Sequence, residues 1–149
     1  MEQSKDGYAV QGIPFTGLVN EFGSPLYVYH PEQIVFQLKT LKNAFSDSDV
    51  RIKYAAKALT NISILKLLRR FGSDVDVVSI QEAQLSLRAG FQPSQIMYTP
   101  SGVDFDEIVE AVNLNLTVNL DNLPMLKKFG EKYRGTYPCS IRLNPHILA

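Results

Sequence analysis

From Val50 onward the chain alternates short apolar runs with longer segments whose apolar residues recur three and four apart. Runs beginning near Val50, Asp74, Ile96, Leu116 and Pro138 have the length and β-branched content of strands, and successive starts lie 20 to 24 residues apart. Between them Ile64, Leu65, Leu68 and Phe71 line one helix face, Ile108, Val109 and Val112 a second, and Leu123, Leu126 and Phe129 a third. Gly72 and Gly90 each follow a helix where a left-handed cap is expected. Ser79 has the character of an N-cap, with Glu82 three residues on and able to reach back to the Ser79 amide. Earlier in the chain, Leu26 to Tyr29 reads as a short strand, and Pro31 opens a helix running to about Ala44 with Ile34, Leu38 and Leu41 as its apolar stripe. Residues 1 to 24, glycine-bearing and interrupted by Pro14, predict a peripheral segment outside the core.

Strands alternating with helices at this spacing predict an α/β fold with a parallel sheet, either doubly wound or a (β/α)8 barrel. A doubly wound sheet ordinarily carries a glycine-rich nucleotide loop, yet no G-x-G-x-x-G follows the first strand and no phosphate-binding G-x-x-x-x-G-K-[ST] occurs. The TIM-type barrel is therefore favoured, with only about the first five βα units present, since a whole barrel takes roughly 250 residues. The sequence stops just past its fifth strand, which reads as a fragment of a longer barrel.

Composition changes this picture little. The 149 residues carry 15 basic and 15 acidic side chains spread along the chain, which gives no footprint for nucleic acid or a membrane surface and leaves a small molecule as the expected ligand. No apolar run approaches a membrane span or a signal core. The one cysteine, Cys139, has no partner for an internal disulfide, so a cytoplasmic location is expected. His30 and His146 are isolated and read as loop residues, and no metal site is expected.

Strand parity selects the candidate chemistry. Val50, Ile52, Tyr54 and Ala56 share an apolar face for the helices, so Arg51, Lys53, Ala55 and Lys57 share the other. Lys57 then ends its strand pointing inward over Ala55, at the rim where α/β barrels keep their chemistry. A lysine there is either a solvated strand end or an amine suited to Schiff-base formation. Asp74 and Asp76 fall on the same face of the next strand; Asp74 is more simply a turn residue, whereas Asp76 lies mid-strand and would steer positive charge. Arg142, inward near the end of the fifth strand, would either contact an anionic group or pair with Asp76.

Several of these residues fall in ordered motifs. Phe22-Gly23-Ser24-Pro25-Leu26-Tyr27-Val28-Tyr29, Tyr54-Ala55-Ala56-Lys57-Ala58, Asp76-Val77-Val78-Ser79 with Glu82, Ala89-Gly90-Phe91 and Ile141-Arg142-Leu143-Asn144-Pro145 together resemble diaminopimelate decarboxylases. These belong to the alanine-racemase-like, fold-type III enzymes that use pyridoxal phosphate. The resemblance implies an N-terminal (β/α)8 barrel followed by a β-rich domain, with Lys57 as the lysine that binds the cofactor and Asp76 and Arg142 as cofactor-site residues. It implies decarboxylation of meso-2,6-diaminopimelate to L-lysine and CO2, and a homodimer for the intact enzyme. Residues 1–29 are expected to associate with the C-terminal β domain, and residues 30–149 to form the incomplete barrel.

Two departures qualify the match. Many relatives have asparagine two residues after the lysine, where this chain has Leu59, which bears on the substrate and not on the lysine. Ornithine, arginine and carboxynorspermidine decarboxylases of the same superfamily are the alternatives, distinguished by substrate loops this chain does not include. The family's phosphate-binding glycines, its glutamate facing the pyridine nitrogen and its residues donated across the dimer all fall beyond Ala149, so the chain alone is expected to be inactive. A non-catalytic barrel that binds pyridoxal phosphate is the alternative from another functional class.

Overall fold

The computed structural model describes residues 2–4, 7–143 and 145. The chain divides into two compact units, residues 1–37 and 38–149.

The first unit is more regular than its sequence predicts. Strands β1 (Glu2–Ser4), β2 (Gly7–Val10) and β3 (Ile13–Pro14) form an antiparallel sheet in that order, followed by helix α1 (Phe15–Phe22). Gln11 and Gly12 turn the chain between β2 and β3 with positive φ angles of 49° and 74°, a tight reversal in which glycine removes the Cβ clash at one of the two positions. Pro14 bounds α1 on its amino side, where a missing N–H costs nothing. The strand expected at Leu26 to Tyr29 does not form: these residues have no ladder partner among the described residues, and Tyr27 is 88% exposed. Aromatic and β-branched content favours an extended backbone, but a strand requires a neighbour to bond with.

Helix α2 (Pro31–Ala44) has the expected bounds, and the backbone N–H of Gln33 donates to Nδ1 of His30 at 3.1 Å, so His30 caps its first turn. Of its predicted stripe only Leu38 is buried; Leu41 remains 45% exposed.

The second unit contains the βα repeat. Strands β4 (Lys53–Ala55), β5 (Asp74–Val77), β6 (Ile96–Tyr98), β7 (Thr117–Leu120) and β8 (Cys139–Ile141) form one sheet in sequential order, with every adjacent pair parallel. Helices α3 (Ile62–Arg70), α4 (Ile80–Arg88), α5 (Phe105–Asn113) and α6 (Leu123–Tyr133) make the crossovers. A doubly wound sheet reverses direction at a switch point; this order never reverses, which is the order of successive barrel units. The fold is therefore the expected α/β type, a part of a (β/α) barrel.

One sheet face is the core. Val75, Val77, Ile96, Tyr98, Val118 and Leu120 are buried against Leu65, Ile80, Ala83, Ile108, Ala111 and Phe129 of the helices. Each fully buried large side chain here contributes roughly 1.5–3 kcal/mol relative to an exposed one. Leu123, expected on the α6 stripe, is instead 78% exposed, because it is the first helical residue and precedes the packed turns; Met125 lies against the core. Gly72 and Gly90 adopt the predicted left-handed conformation, with φ of 76° and 95°.

Candidate functional site

All five strands run the same way, so their carboxyl ends share one edge of the sheet. Lys57, Thr99, Asp121 and Arg142 each follow a strand end by one or two residues, and Asp76 precedes one by a single residue. These side chains form a rim carrying an amine, two carboxylates, a hydroxyl and a guanidinium.

Lys57 does not sit in the strand itself. Strand β4 stops at Ala55, and Ala56–Ala58 make a single 3-10 turn that leaves Lys57 exposed while Ala56 is fully buried. The break has a local cause: the hydroxyl of Tyr54 donates to the carbonyl of Leu59 at 3.2 Å, and the N–H of Leu59 donates to the carbonyl of Ala56 at 3.0 Å, which folds the chain back over the strand end. Immediately afterwards the Asn61 side chain accepts from Ser63 N at 2.9 Å and from Ile64 N at 3.4 Å, starting α3. Lys57 is thus held on a short turn between a strand and a capped helix.

Asp74 and Asp76 occupy the same face of β5, as parity requires, but their surroundings differ. Asp74 is not a turn residue. It begins the strand, is only 7% exposed, and its Oδ2 lies 2.8 Å from Arg51 Nη2 and 3.4 Å from Lys53 Nζ. The Gln95 amide donates to its Oδ1 at 3.3 Å. It is buried because two cations and an amide satisfy it, and it lies at the amino end of the sheet, away from the rim. Asp76 is half-buried at the carboxyl end, and Thr99 Oγ1 donates to its Oδ1 at 2.6 Å.

Arg142 follows β8, is exposed, and its N–H donates to the carbonyl of Leu120 at 2.8 Å. Strands β6 and β7 separate it from β5, and among the described residues no ion pair joins it to Asp76. Its acidic neighbour is Asp121 on the adjoining strand end. Ser101 Oγ donates to Asp121 Oδ2 at 2.9 Å and Asn122 Nδ2 to Oδ1 at 2.8 Å. Those hydrogen bonds, with the Arg142 charge behind them, hold the Asp121 carboxyl below the usual aspartate range.

Glu82 closes the loop after Asp76, one residue beyond its expected target. Ser79 Oγ accepts from Glu82 N at 3.2 Å, while Glu82 Oε2 accepts from Val78 N at 2.9 Å rather than from Ser79 N. The longer reach satisfies the amide that the β5 ladder leaves free and fixes the turn at the rim. Sequence reasoning missed Thr99, Asp121 and Asn119. Asn119 shares its strand face with Thr117, and its Oδ1 is buried with no hydrogen-bond donor among the described residues. Their signal is the strand register, which pairs Asp76 with Met97 and so brings Thr99 beside Asp76. Among the described residues no cluster of His, Cys, Asp and Glu suits a metal, and no helix is long and apolar enough to cross a membrane. His146 lies outside the described residues.

The rim therefore presents an exposed amine, Lys57, and, on the neighbouring strand, a carboxylate, Asp76, that has no ion pair among the described residues. The family described as "Pyridoxal-dependent decarboxylase, pyridoxal binding domain" matches residues 31–149. The chain belongs to this family. As a member of the pyridoxal-dependent decarboxylases it has the cofactor class that its motifs implied. It is 34% identical over 93% of its length to the diaminopimelate decarboxylase of Methanothermobacter thermautotrophicus, and 37% identical over 87% to that of Helicobacter pylori. It spans about a third of these relatives, 33% in each case. The crystal structure of the Helicobacter pylori diaminopimelate decarboxylase complexed with L-lysine superposes with a TM-score of 0.83 at 33% identity, covering 90% of this chain and 35% of that one. A lysine/ornithine decarboxylase from Vibrio vulnificus complexed with putrescine gives 0.78 at 27% identity, covering 87% of this chain and 35% of that one.

The residues present suit a pyridoxal group. Lys57 offers an exposed primary amine for its aldehyde, Asp76 a carboxylate with no cation partner, and Asn119 a buried acceptor oxygen with no donor, among the described residues.

Proposed function

We propose that the whole protein decarboxylates meso-2,6-diaminopimelate to L-lysine and CO2 with pyridoxal phosphate, and that Lys57 supplies the amine binding the cofactor. The supporting observation is that relatives matching about nine-tenths of the chain carry the diaminopimelate decarboxylase name, while Lys57 stands exposed at the carboxyl edge of the parallel sheet. When bound, pyridoxal phosphate supplies an electron sink for the charge left as CO2 departs. Lys57 Nζ anchors the cofactor from a turn held at both ends by hydrogen bonds. Asp76, held by Thr99, supplies negative charge on the strand next to the one that carries Lys57. Arg142, at the far end of the rim, offers a guanidinium for an anionic group of cofactor or substrate. Release of L-lysine from meso-2,6-diaminopimelate by the full-length protein, and none by its Lys57→Ala variant, is the expected result. Equal turnover by the two would contradict the reading.

The likeness to a lysine/ornithine decarboxylase favours one alternative, a decarboxylase of the same superfamily acting on a smaller diamino acid. Ornithine turned over faster than diaminopimelate would establish it.

The 149-residue chain alone is proposed to be inactive, because the five parallel strands of its second unit leave both sheet edges unpaired among the described residues and the chain spans only a third of its relatives. Turnover by the isolated chain would contradict this. Residues 1–29 are proposed to associate with a C-terminal β domain, and residues 30–149 to form the incomplete cofactor-binding barrel. The whole protein is proposed to be a cytoplasmic homodimer, which sedimentation of the full-length protein tests.

A further inference from the structure

The two carboxylates of β5 share a face, yet only one is neutralised. Asp74 has Arg51 and Lys53 against its Oδ2. Asp76, nearer the rim, has no ion pair among the described residues; its partner is the neutral hydroxyl of Thr99, 2.6 Å from Oδ1. A cation would cancel the charge of a carboxylate, whereas a hydroxyl orients the group and leaves its charge available to a ligand.

Thr99 is itself fixed in place. Its N–H donates to the carbonyl of Val77 at 2.8 Å, extending the β5–β6 pairing by one step. Pro100 follows it, is buried, and confines Thr99 to an extended backbone. Its branched Cβ restricts χ1. The hydroxyl therefore reaches Asp76 with little conformational freedom left to lose.

We propose that Thr99 is a positioning residue of the cofactor site: it fixes one oxygen of Asp76 on the β6 side, so that the uncancelled charge of Asp76 is held for a cationic group bound beside Lys57. This rests on the assignment of Lys57 and Asp76 to the cofactor. The competing account is that the hydrogen bond only staples β5 to β6, in which case its loss lowers stability and leaves cofactor handling unchanged.

The test uses the full-length protein and three readouts: pyridoxal phosphate affinity by absorbance titration, the Lys57 adduct after borohydride reduction, and the thermal midpoint. Thr99→Val keeps the side-chain shape and removes the donor. It is expected to weaken cofactor binding about tenfold, the loss of one hydrogen bond to a charged group, with the melting temperature shifted by no more than a few degrees. Thr99→Ser is expected to restore binding to within about threefold, since the donor returns with a freer rotamer. In the Asp76→Asn background Thr99→Val should have little further effect, because Thr99 acts through the carboxylate. If the valine variant is too unstable to titrate, Thr99→Ala carries the same comparison. Wild-type affinity in the variant lacking the hydroxyl, or a full additional loss on top of Asp76→Asn, overturns the proposal alone. Absence of a Lys57 adduct in the wild type overturns the cofactor assignment and this proposal with it.

Discussion

Lys53 and Asp74 are partners on the first paired rung of β4 and β5, and Lys53 Nζ lies 3.4 Å from Asp74 Oδ2. Arg51 Nη2 reaches the same oxygen at 2.8 Å from a side chain that is 62% exposed. The pairing joins two strands at the end of the sheet opposite the candidate site, which assigns it to stability rather than to chemistry.

Asp74→Ala removes the partner of a half-buried lysine and of the Gln95 amide together. The expected loss is roughly 1–3 kcal/mol in unfolding free energy, read from urea denaturation. Arg51→Ala should cost less than about 1 kcal/mol, because an exposed guanidinium is already well solvated.

Asn61 caps the start of α3, its side chain accepting from Ser63 N and Ile64 N. Asn61→Ala should destabilise by about 1 kcal/mol, and Asn61→Asp should retain most of the stability because aspartate accepts the same bonds. The same urea titrations check both.

Asp121 controls part of the acid response. Its folded value lies below the ordinary one, so the ionised form is the one favoured by folding. The stabilisation is complete above the usual aspartate range, near pH 4, and is lost as the pH falls through the lower folded value. Asp121→Asn is expected to flatten unfolding free energy against pH below about pH 4 and leave its slope near neutrality unchanged.

Tyr98 controls part of the alkaline response. It is fully buried, and burial, followed by the charge of Glu107, raises its hydroxyl above the ordinary tyrosine value. The protonated form is favoured by folding, so stability is intact below about pH 10 and falls as the pH rises beyond it. Tyr98→Phe should make that alkaline decline shallower in circular-dichroism unfolding curves.

Much of the fold is visible in one dimension because the βα repeat is a pattern of local periods. The starts of the later strands and the bounds of α2 follow from apolar spacing and from proline and glycine punctuation. The hairpin strands at residues 2–14 are short and lack alternation, so their pairing rests on partners that periodicity does not reveal. Lys57 was visible as a residue near a strand end, but its 3-10 turn depends on the Tyr54 to Leu59 hydrogen bond across five residues. Where no glycine follows α5, Asn115 takes the left-handed turn with φ of 58°, a substitution that residue type alone leaves ambiguous. Thr99 and Asp121 were hidden for another reason: their contacts cross between strand ends, and only the register sets them.

The most direct test of the account is borohydride reduction of the full-length protein incubated with pyridoxal phosphate, followed by peptide mapping. The predicted result is a phosphopyridoxyl group on the peptide containing Lys57 and its loss in Lys57→Ala. A Lys57 peptide left unmodified, or the group found on a different lysine, would contradict the assignment.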